Sequence, residues 1–153
     1  MAGSGRMILI TGANGFIGSA LCLRLKEVGY CVRKAIRDRT KLPEGDPARH
    51  TDHEWVVLHD RSAEVDTQRA LDGVQTVVHL AARVHVMKDL AADPLREFRE
   101  VNRDWTERLA RVAAEQGVRR FVYLSSVKVN GEQSSRPFTE QDSPNPNDPY
   151  GMS

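Results

Sequence analysis

Three glycines are the residues of this sequence whose spacing predicts chemistry most directly. They occur in Thr11-Gly12-Ala13-Asn14-Gly15-Phe16-Ile17-Gly18, between a predicted strand and a predicted helix. Gly12 permits a tight turn, Gly15 lets the backbone approach a pyrophosphate, and Gly18 allows the helix to pack closely on the strand. The amino end of the helix adds unpaired N–H groups and positive partial charge. The segment therefore predicts a dinucleotide site, and the alternative is an ordinary glycine-containing turn.

The charged residues after the second predicted strand bear on which dinucleotide binds. An acidic residue there hydrogen-bonds the ribose 2′-hydroxyl of NAD, whereas an arginine can receive the 2′-phosphate of NADP. Ile36 occupies the acidic position, and Arg37 follows at once. We therefore expect NADP to be preferred over NAD. The alternative is that Arg37 lies in a solvated loop and Asp38 hydrogen-bonds the ribose of NAD.

Short β-rich segments alternate with helical patterns along the chain, which predicts an α/β fold with a doubly wound parallel sheet. Several of the segments are apolar on consecutive residues, as in strands covered on both faces. The predicted strands are residues 7–11, 31–36, 54–58, 76–80 and 120–124. We interpret the chain as a single Rossmann-type dinucleotide-binding domain, truncated before a substrate domain and forming the N-terminal part of a longer enzyme.

Helical periodicity predicts three helices, over residues 15–28, 64–71 and 93–117. Asp93 caps the last of them, with Pro94 at its first position. Two apolar stripes are expected to face the core. They are Ile17, Leu21, Leu25 and Val28 in the first helix, and Leu95, Phe98, Val101, Trp105, Leu109 and Val112 in the last. Residues 128–148 carry little apolar periodicity and are expected to form a long loop.

Composition excludes several classes of protein. The 153 residues contain 22 Lys and Arg against 21 Asp and Glu, a net charge of +1 that offers no field for binding nucleic acid or an anionic membrane. No apolar stretch approaches the ~20 residues that cross a bilayer. Cys22 and Cys31 form neither a CxxC motif nor a metal-ligand cluster, so we expect no metal site and a reducing cytoplasm.

The GxxGxxG spacing in TGANGFIG resembles that of the extended short-chain dehydrogenase/reductases, the NAD-dependent epimerases and dehydratases that act on nucleotide sugars. The resemblance covers essentially the whole chain. Further matches follow in order: His79-Leu80-Ala81-Ala82, Asn102 with Thr106, Leu124-Ser125-Ser126, and Asp148-Pro149-Tyr150-Gly151.

The resemblance implies that Asp60 and Arg61 contact the adenine and that residues 80–82 form a wall of the dinucleotide site, with Asn102 nearby. Taken singly, Asp60 as a helix cap, Asn102 as a partner of buried backbone and residues 80–82 as core remain alternatives. With the glycine segment and Arg37, the expected cofactor contacts are Gly12, Asn14, Gly15, Phe16, Ile17, Gly18, Arg37, Asp60, Arg61, Leu80, Ala81, Ala82 and Asn102.

The resemblance also implies a catalytic pair, Ser126 and Tyr150. Ser126 would hydrogen-bond the reacting oxygen, and Tyr150 would transfer a proton while hydride passes at the nicotinamide. A phenol has an ordinary pKa near 10, and the family lowers it with a lysine four residues after the tyrosine. That lysine would be residue 154, beyond Ser153, so we expect residues 1–153 alone to be inactive or nearly so.

The segments 81–87 and 125–132 are similar to those of bacterial O-antigen and lipopolysaccharide enzymes commonly called UDP-glucose 4-epimerases, some of which resemble 4-keto-6-deoxy-sugar reductases. The expected function is redox chemistry at C4 of a UDP-hexose, with epimerisation and 4-keto reduction both open. A non-catalytic dinucleotide-binding module is a further alternative. The resemblance implies a homodimer for the full-length protein. Arg83, His85 and Lys128 receive no role.

Overall fold

The computed structural model describes residues 6–38, 40, 55–59, 62–84 and 91–153. In these residues one parallel sheet has the strand order β3-β2-β1-β4-β5. Its strands are β1 (Met7–Thr11), β2 (Cys31–Ile36), β3 (Trp55–Val57), β4 (Val74–His79) and β5 (Arg120–Tyr123). The chain runs outward from β1 in both directions, so the crevice between β1 and β4 is the place where sheets of this kind bind ligands.

Helices cover both faces of the sheet. They are α1 (Phe16–Glu27), α2 (Glu64–Leu71), α3 (Pro94–Arg99) and α4 (Trp105–Glu115). A π-helical turn (Glu100–Asp104) joins α3 to α4, and a 3-10 turn (Val127–Asn130) follows β5. The expected single helix over residues 93–117 is therefore interrupted. Its predicted start is confirmed, because the Asp93 side chain accepts a hydrogen bond from the Arg96 N–H at 3.0 Å and Pro94 opens α3.

The core has two layers, one on each face of the sheet. Leu9 packs on the α2 and α4 side with Trp105 and Leu109, whereas Ile8 and Ile10 pack on the α1 side. The alternation of neighbouring β1 residues between two apolar layers confirms that the consecutive apolar residues belong to a strand covered on both faces. The stripe of the last helix is buried at Phe98, Val101, Trp105, Leu109 and Val112.

The predicted stripe of α1 is partly wrong. Ile17 and Val28 are exposed, while Gly18 and Cys22 are buried. A Cβ on Gly18 would lie 2.1 Å from the Gly12 carbonyl oxygen, so Gly18 faces the sheet and sets the rotation of the helix. Leu21 and Leu25, the middle of the predicted stripe, do pack against the core on this face, so the error lies at the two ends of the stripe.

Residues 128–148 form a long loop after the first turn, as expected, and lack strands. Asp142 organises it by pairing with Arg136 and by accepting a hydrogen bond from the Thr139 N–H at 2.7 Å. No helix among the described residues is long and apolar enough to cross a membrane.

Candidate functional site

The glycine segment forms a tight connection from β1 into α1. Gly12 has a φ of +66°, and a Cβ there would lie 2.9 Å from the Ala81 backbone nitrogen. Any side chain would therefore be strained and would separate β1 from the end of β4. At Gly18 the clash would be with the backbone of Gly12 and Ala13 alone, so this glycine lets α1 approach the turn after β1 closely.

The amino end of α1 suits an anionic group. Its N-cap is Gly15, no side chain caps its N–H groups, and its first turn carries no acidic residue. The positive end of the helix dipole is thus left without a compensating carboxylate of its own. Gly15, Phe16, Ile17 and Gly18 all border one cleft, so this helix end lies at its edge. A dinucleotide pyrophosphate fits such an end.

That cleft, of about 540 Å³, lies at the carboxyl ends of the strands. It brings together most of the site residues expected from the sequence. These are Gly12, Asn14, Gly15, Phe16, Ile17, Gly18, Arg37, Leu80, Ala81, Ala82, Ser126 and Tyr150. Asn102 borders a second cavity of about 220 Å³ that shares Ala82, Ser126 and Tyr150 with the cleft. Asp60 and Arg61 lie outside the described residues, as does His85.

Several cleft residues were not expected from the sequence. They are Leu58, His59, Val84, Trp105, Leu124 and Ser125. Most of them lie at or just after the ends of strands that the sequence predicts. The carboxyl end of each predicted strand was therefore the signal that could have identified these cleft residues. Trp105 belonged to the predicted core stripe, and it both packs in the core and borders the cleft.

A buried histidine ties β1 to β4 behind the cleft. His79 is fully buried, with Nδ1 2.6 Å from Thr11 Oγ1 and Nε2 2.9 Å from Thr106 Oγ1. Thr11 Oγ1 also accepts hydrogen bonds from the Leu80 and Ala81 N–H groups, each at 3.1 Å. One side chain thus fixes the backbone that forms the cleft wall.

These hydrogen bonds determine which ring nitrogen of His79 carries the proton. Both lone pairs of Thr11 Oγ1 are used by N–H groups, so its hydroxyl donates to Nδ1 and the His79 proton resides on Nε2. Nε2 donates to Thr106, whose hydroxyl donates to the Asn102 carbonyl at 2.6 Å. Burial lowers the pKa of His79 from 6.5 to about 4, so the ring is neutral at pH 7.

Asn102 continues this network to the other side of the site. It is buried, and its Oδ1 accepts from the Arg83 N–H at 2.7 Å while its Nδ2 donates to the Arg83 carbonyl at 3.1 Å. Nδ2 also donates to Ser153 Oγ at 2.8 Å, and Ser153 donates to the Tyr150 carbonyl at 2.7 Å. The amide therefore satisfies buried backbone and also lies beside the cleft wall. Asn102 is in the π-helical turn, a feature frequent at functional sites.

Ser126 and Tyr150 face the same two cavities, although 24 residues of sequence separate them. Ser126 caps the 3-10 turn by accepting a hydrogen bond from the Lys128 N–H at 3.3 Å. The Tyr150 ring lies 6.2 Å from that of Phe98, centre to centre.

Burial, with a smaller contribution from Tyr150, raises the pKa of Tyr123, which borders the smaller cavity. Among the described side chains, no group of three His, Cys, Asp or Glu residues could hold a metal ion.

Residues 8–153 match the model of the NAD dependent epimerase/dehydratase family. The chain belongs to this family. A UDP-glucose 4-epimerase of Vibrio cholerae is 40% identical over 152 residues, which cover 97% of the chain and 44% of that relative. A dihydroflavonol 4-reductase of Zea mays is 32% identical over 142 residues, which cover 89% of the chain and 39% of the relative.

Solved structures with bound NAD share the fold. A short-chain dehydrogenase/reductase superfamily protein from Agrobacterium tumefaciens with bound NAD has a TM-score of 0.77 and 33% identity, over 96% of this chain and 41% of that one. MoeE5 in complex with UDP-glucuronic acid and NAD also has a TM-score of 0.77, with 31% identity, over 95% of this chain and 44% of that one. The chain thus spans less than half the length of these relatives.

Proposed function

We propose that the whole protein containing this chain is a NAD(P)-dependent enzyme that carries out redox chemistry at C4 of a nucleotide sugar, with 4-epimerisation of a UDP-hexose as the reaction. One observation carries the proposal. The cleft that borders the glycine segment and the amino end of α1 also borders Ser126 and Tyr150. The Vibrio cholerae UDP-glucose 4-epimerase and the UDP-sugar complexes of MoeE5 support the substrate class.

The residues present fit a dinucleotide. A Cβ at Gly12 or Gly18 would press on neighbouring backbone, and the uncapped end of α1 offers N–H groups for phosphate oxygens. Leu80, Ala81 and Ala82 give the cleft a largely apolar wall, held by Thr11. When bound, the nicotinamide ring accepts or donates the hydride.

In this proposal Tyr150 moves the proton of the sugar hydroxyl, and Ser126 hydrogen-bonds the same oxygen. The activity is proposed for a protein in which a lysine follows Tyr150 by four residues, since a cation on that helix face lowers the pKa of a phenol. His79 and Asn102 do not contact the substrate in this proposal. His79 acts through Thr11, which holds the backbone of the cleft wall, and Asn102 holds the Arg83 backbone and the Ser153 side chain.

A second candidate is NADPH-dependent reduction of a UDP-4-keto-6-deoxy-hexose. Arg37 borders the cleft, whereas Asp38 is not among the lining residues and accepts a hydrogen bond from the Thr40 N–H at 2.9 Å. This placement supports binding of a 2′-phosphate and hence a reductase, which consumes fresh NADPH at each turnover. The dihydroflavonol 4-reductase relatives support the same candidate.

Two assays on the whole protein separate the candidates. Incubation with UDP-glucose and chromatography of the UDP-hexoses tests epimerisation, in which no net dinucleotide is consumed. Loss of NADPH absorbance with a UDP-4-keto-6-deoxy-hexose tests reduction. Tight dinucleotide binding with neither reaction would overturn both and leave a non-catalytic module.

A further inference from the structure

The segment after Ser126 and the segment that carries Tyr150 pack against each other at the edge of the site. The Asn145 N–H donates to the Val129 carbonyl at 2.8 Å. A Cβ added to Gly151 would lie 2.8 Å from the Lys128 carbonyl oxygen, so the two backbones are in close contact. A small change in their relative placement would therefore move Tyr150 relative to Ser126.

Asp148 caps the turn in which Tyr150 lies. Its Oδ1 accepts a hydrogen bond from the Gly151 N–H at 2.6 Å, and its carbonyl accepts one from the Met152 N–H at 3.0 Å. Pro149 follows the cap, as at the start of many helices. The carboxylate of Asp148 thus holds the backbone N–H that directly follows Tyr150, and its carbonyl holds the next one.

Lys128 joins this cap to the other segment. Its Nζ lies 2.9 Å from Asp148 Oδ2, and its backbone N–H donates to Ser126 Oγ at 3.3 Å. The lysine also pairs with Glu132. One residue therefore bonds to Ser126 through its backbone and to the Tyr150 turn through its side chain.

We infer that the Lys128–Asp148 ion pair positions Tyr150 relative to Ser126. Lys128 borders neither of the two cavities at the site, so it acts as a positioning residue and touches no substrate. The catalytic part of this inference rests on the proposed function, whereas the structural part stands on the contacts alone.

Exposure and charge support a geometric role over a stabilising one. The Lys128 and Asp148 side chains are 38% and 33% exposed, and ion pairs so open to solvent add little to the free energy of folding. The Gly151 N–H and then Lys128 lower the pKa of Asp148, while Glu132 and then Asp148 raise that of Lys128. Both groups are consequently charged across the neutral range.

The experiment compares three variants of the whole protein. Lys128→Met keeps the length of the side chain but removes the charge, and Lys128→Arg restores an ion pair. Glu132→Gln is the matched control, since Glu132 binds the same lysine without capping the Tyr150 turn. Hydrogen exchange of the Gly151 amide reports the cap, the NMR shifts of the Tyr150 ring report its placement beside Phe98, and kcat and KM report turnover.

For Lys128→Met we expect Gly151 exchange to rise by about threefold to tenfold, the Tyr150 ring resonances to shift, and kcat to fall about tenfold at unchanged KM. The melting temperature should change by no more than about 2 °C. Lys128→Arg and Glu132→Gln should match the parent. Unchanged Gly151 exchange and Tyr150 shifts in Lys128→Met would overturn the inference, as would equal effects of Glu132→Gln. Because both NMR readouts need no substrate, they stand even if the proposed reaction fails.

Discussion

His79 uses both ring nitrogens inside the fold, and its partners come from β1 and α4. Replacing it with phenylalanine keeps a ring of similar size but removes the acceptor of the Thr11 hydroxyl proton and the donor to Thr106 Oγ1, both in a buried place. We expect His79→Phe to lower the free energy of unfolding by about 3 kcal/mol in urea titrations. Thr106→Ser, which retains the hydroxyl, is the control and should cost less than about 1 kcal/mol. Equal losses in both variants would contradict the assigned bonds.

The same histidine predicts a pH dependence. Its pKa is about 4 in the folded protein and 6.5 ordinarily, so the neutral form is favoured by folding. Above pH 6.5 neither state binds the proton, and His79 adds no slope. Between pH 6.5 and 4 the unfolded chain binds a proton that the folded chain does not. The free energy of unfolding therefore falls by about 1.4 kcal/mol for each unit by which the pH is lowered. Urea titrations at several pH values should show this slope, and its persistence in His79→Phe would contradict the assignment.

At the scale of the element, Gly18 determines how α1 lies on the sheet. Gly18→Ala would place a Cβ against the Gly12 carbonyl, a backbone atom that cannot move aside. We expect a loss of about 3 kcal/mol in the free energy of unfolding and weaker dinucleotide binding, since the amino end of α1 must shift. Gly29→Ala is the control, because its φ of +86° is strained but nothing lies within 4 Å of the added methyl group. It should cost about 1 kcal/mol and leave binding unchanged.

The elements also show how far sequence reasoning reaches in this chain. The bounds of β1, β2 and α2 were predicted as observed, since apolar runs and periodicity are local properties of the sequence. The buried face of α1 was predicted only at Leu21 and Leu25, because at its start a glycine, which carries no apolar signal, makes the closest contact. The π-helical turn was missed because the residues that bond to Asn102 within it, Arg83 and Ser153, lie far from it in sequence. Local periodicity does not contain that information.

For the whole molecule, the sheet order brings the ends of β1, β2, β4 and β5 to one cleft, which is why residues scattered in sequence could be assigned to one site. Thr11 pairs with Ala35 on one side and with His79 on the other, so three strand ends lie level. What the sequence did not contain is the network behind the cleft, in which Thr11 and His79 are 68 residues apart. A polar residue ending an apolar strand was the available signal for both.

Cofactor choice is a property of this assembled cleft, and Arg37 is the residue that decides it in the proposed function. Arg37 follows β2 and borders the cleft, and in the proposed function it receives the 2′-phosphate, so we expect calorimetric titration to show tighter binding of NADP than of NAD. Arg37→Ser should weaken NADP binding about tenfold or more and leave NAD binding nearly unchanged, because the remaining contacts to the two dinucleotides are shared. Arg33→Ser, at a β2 residue whose guanidinium donates to the Ala70 and Asp72 carbonyls, is the matched control and should not change the ratio of affinities. Tighter binding of NAD to the parent chain would refute the preference and would remove the main support for the reductase over the epimerase.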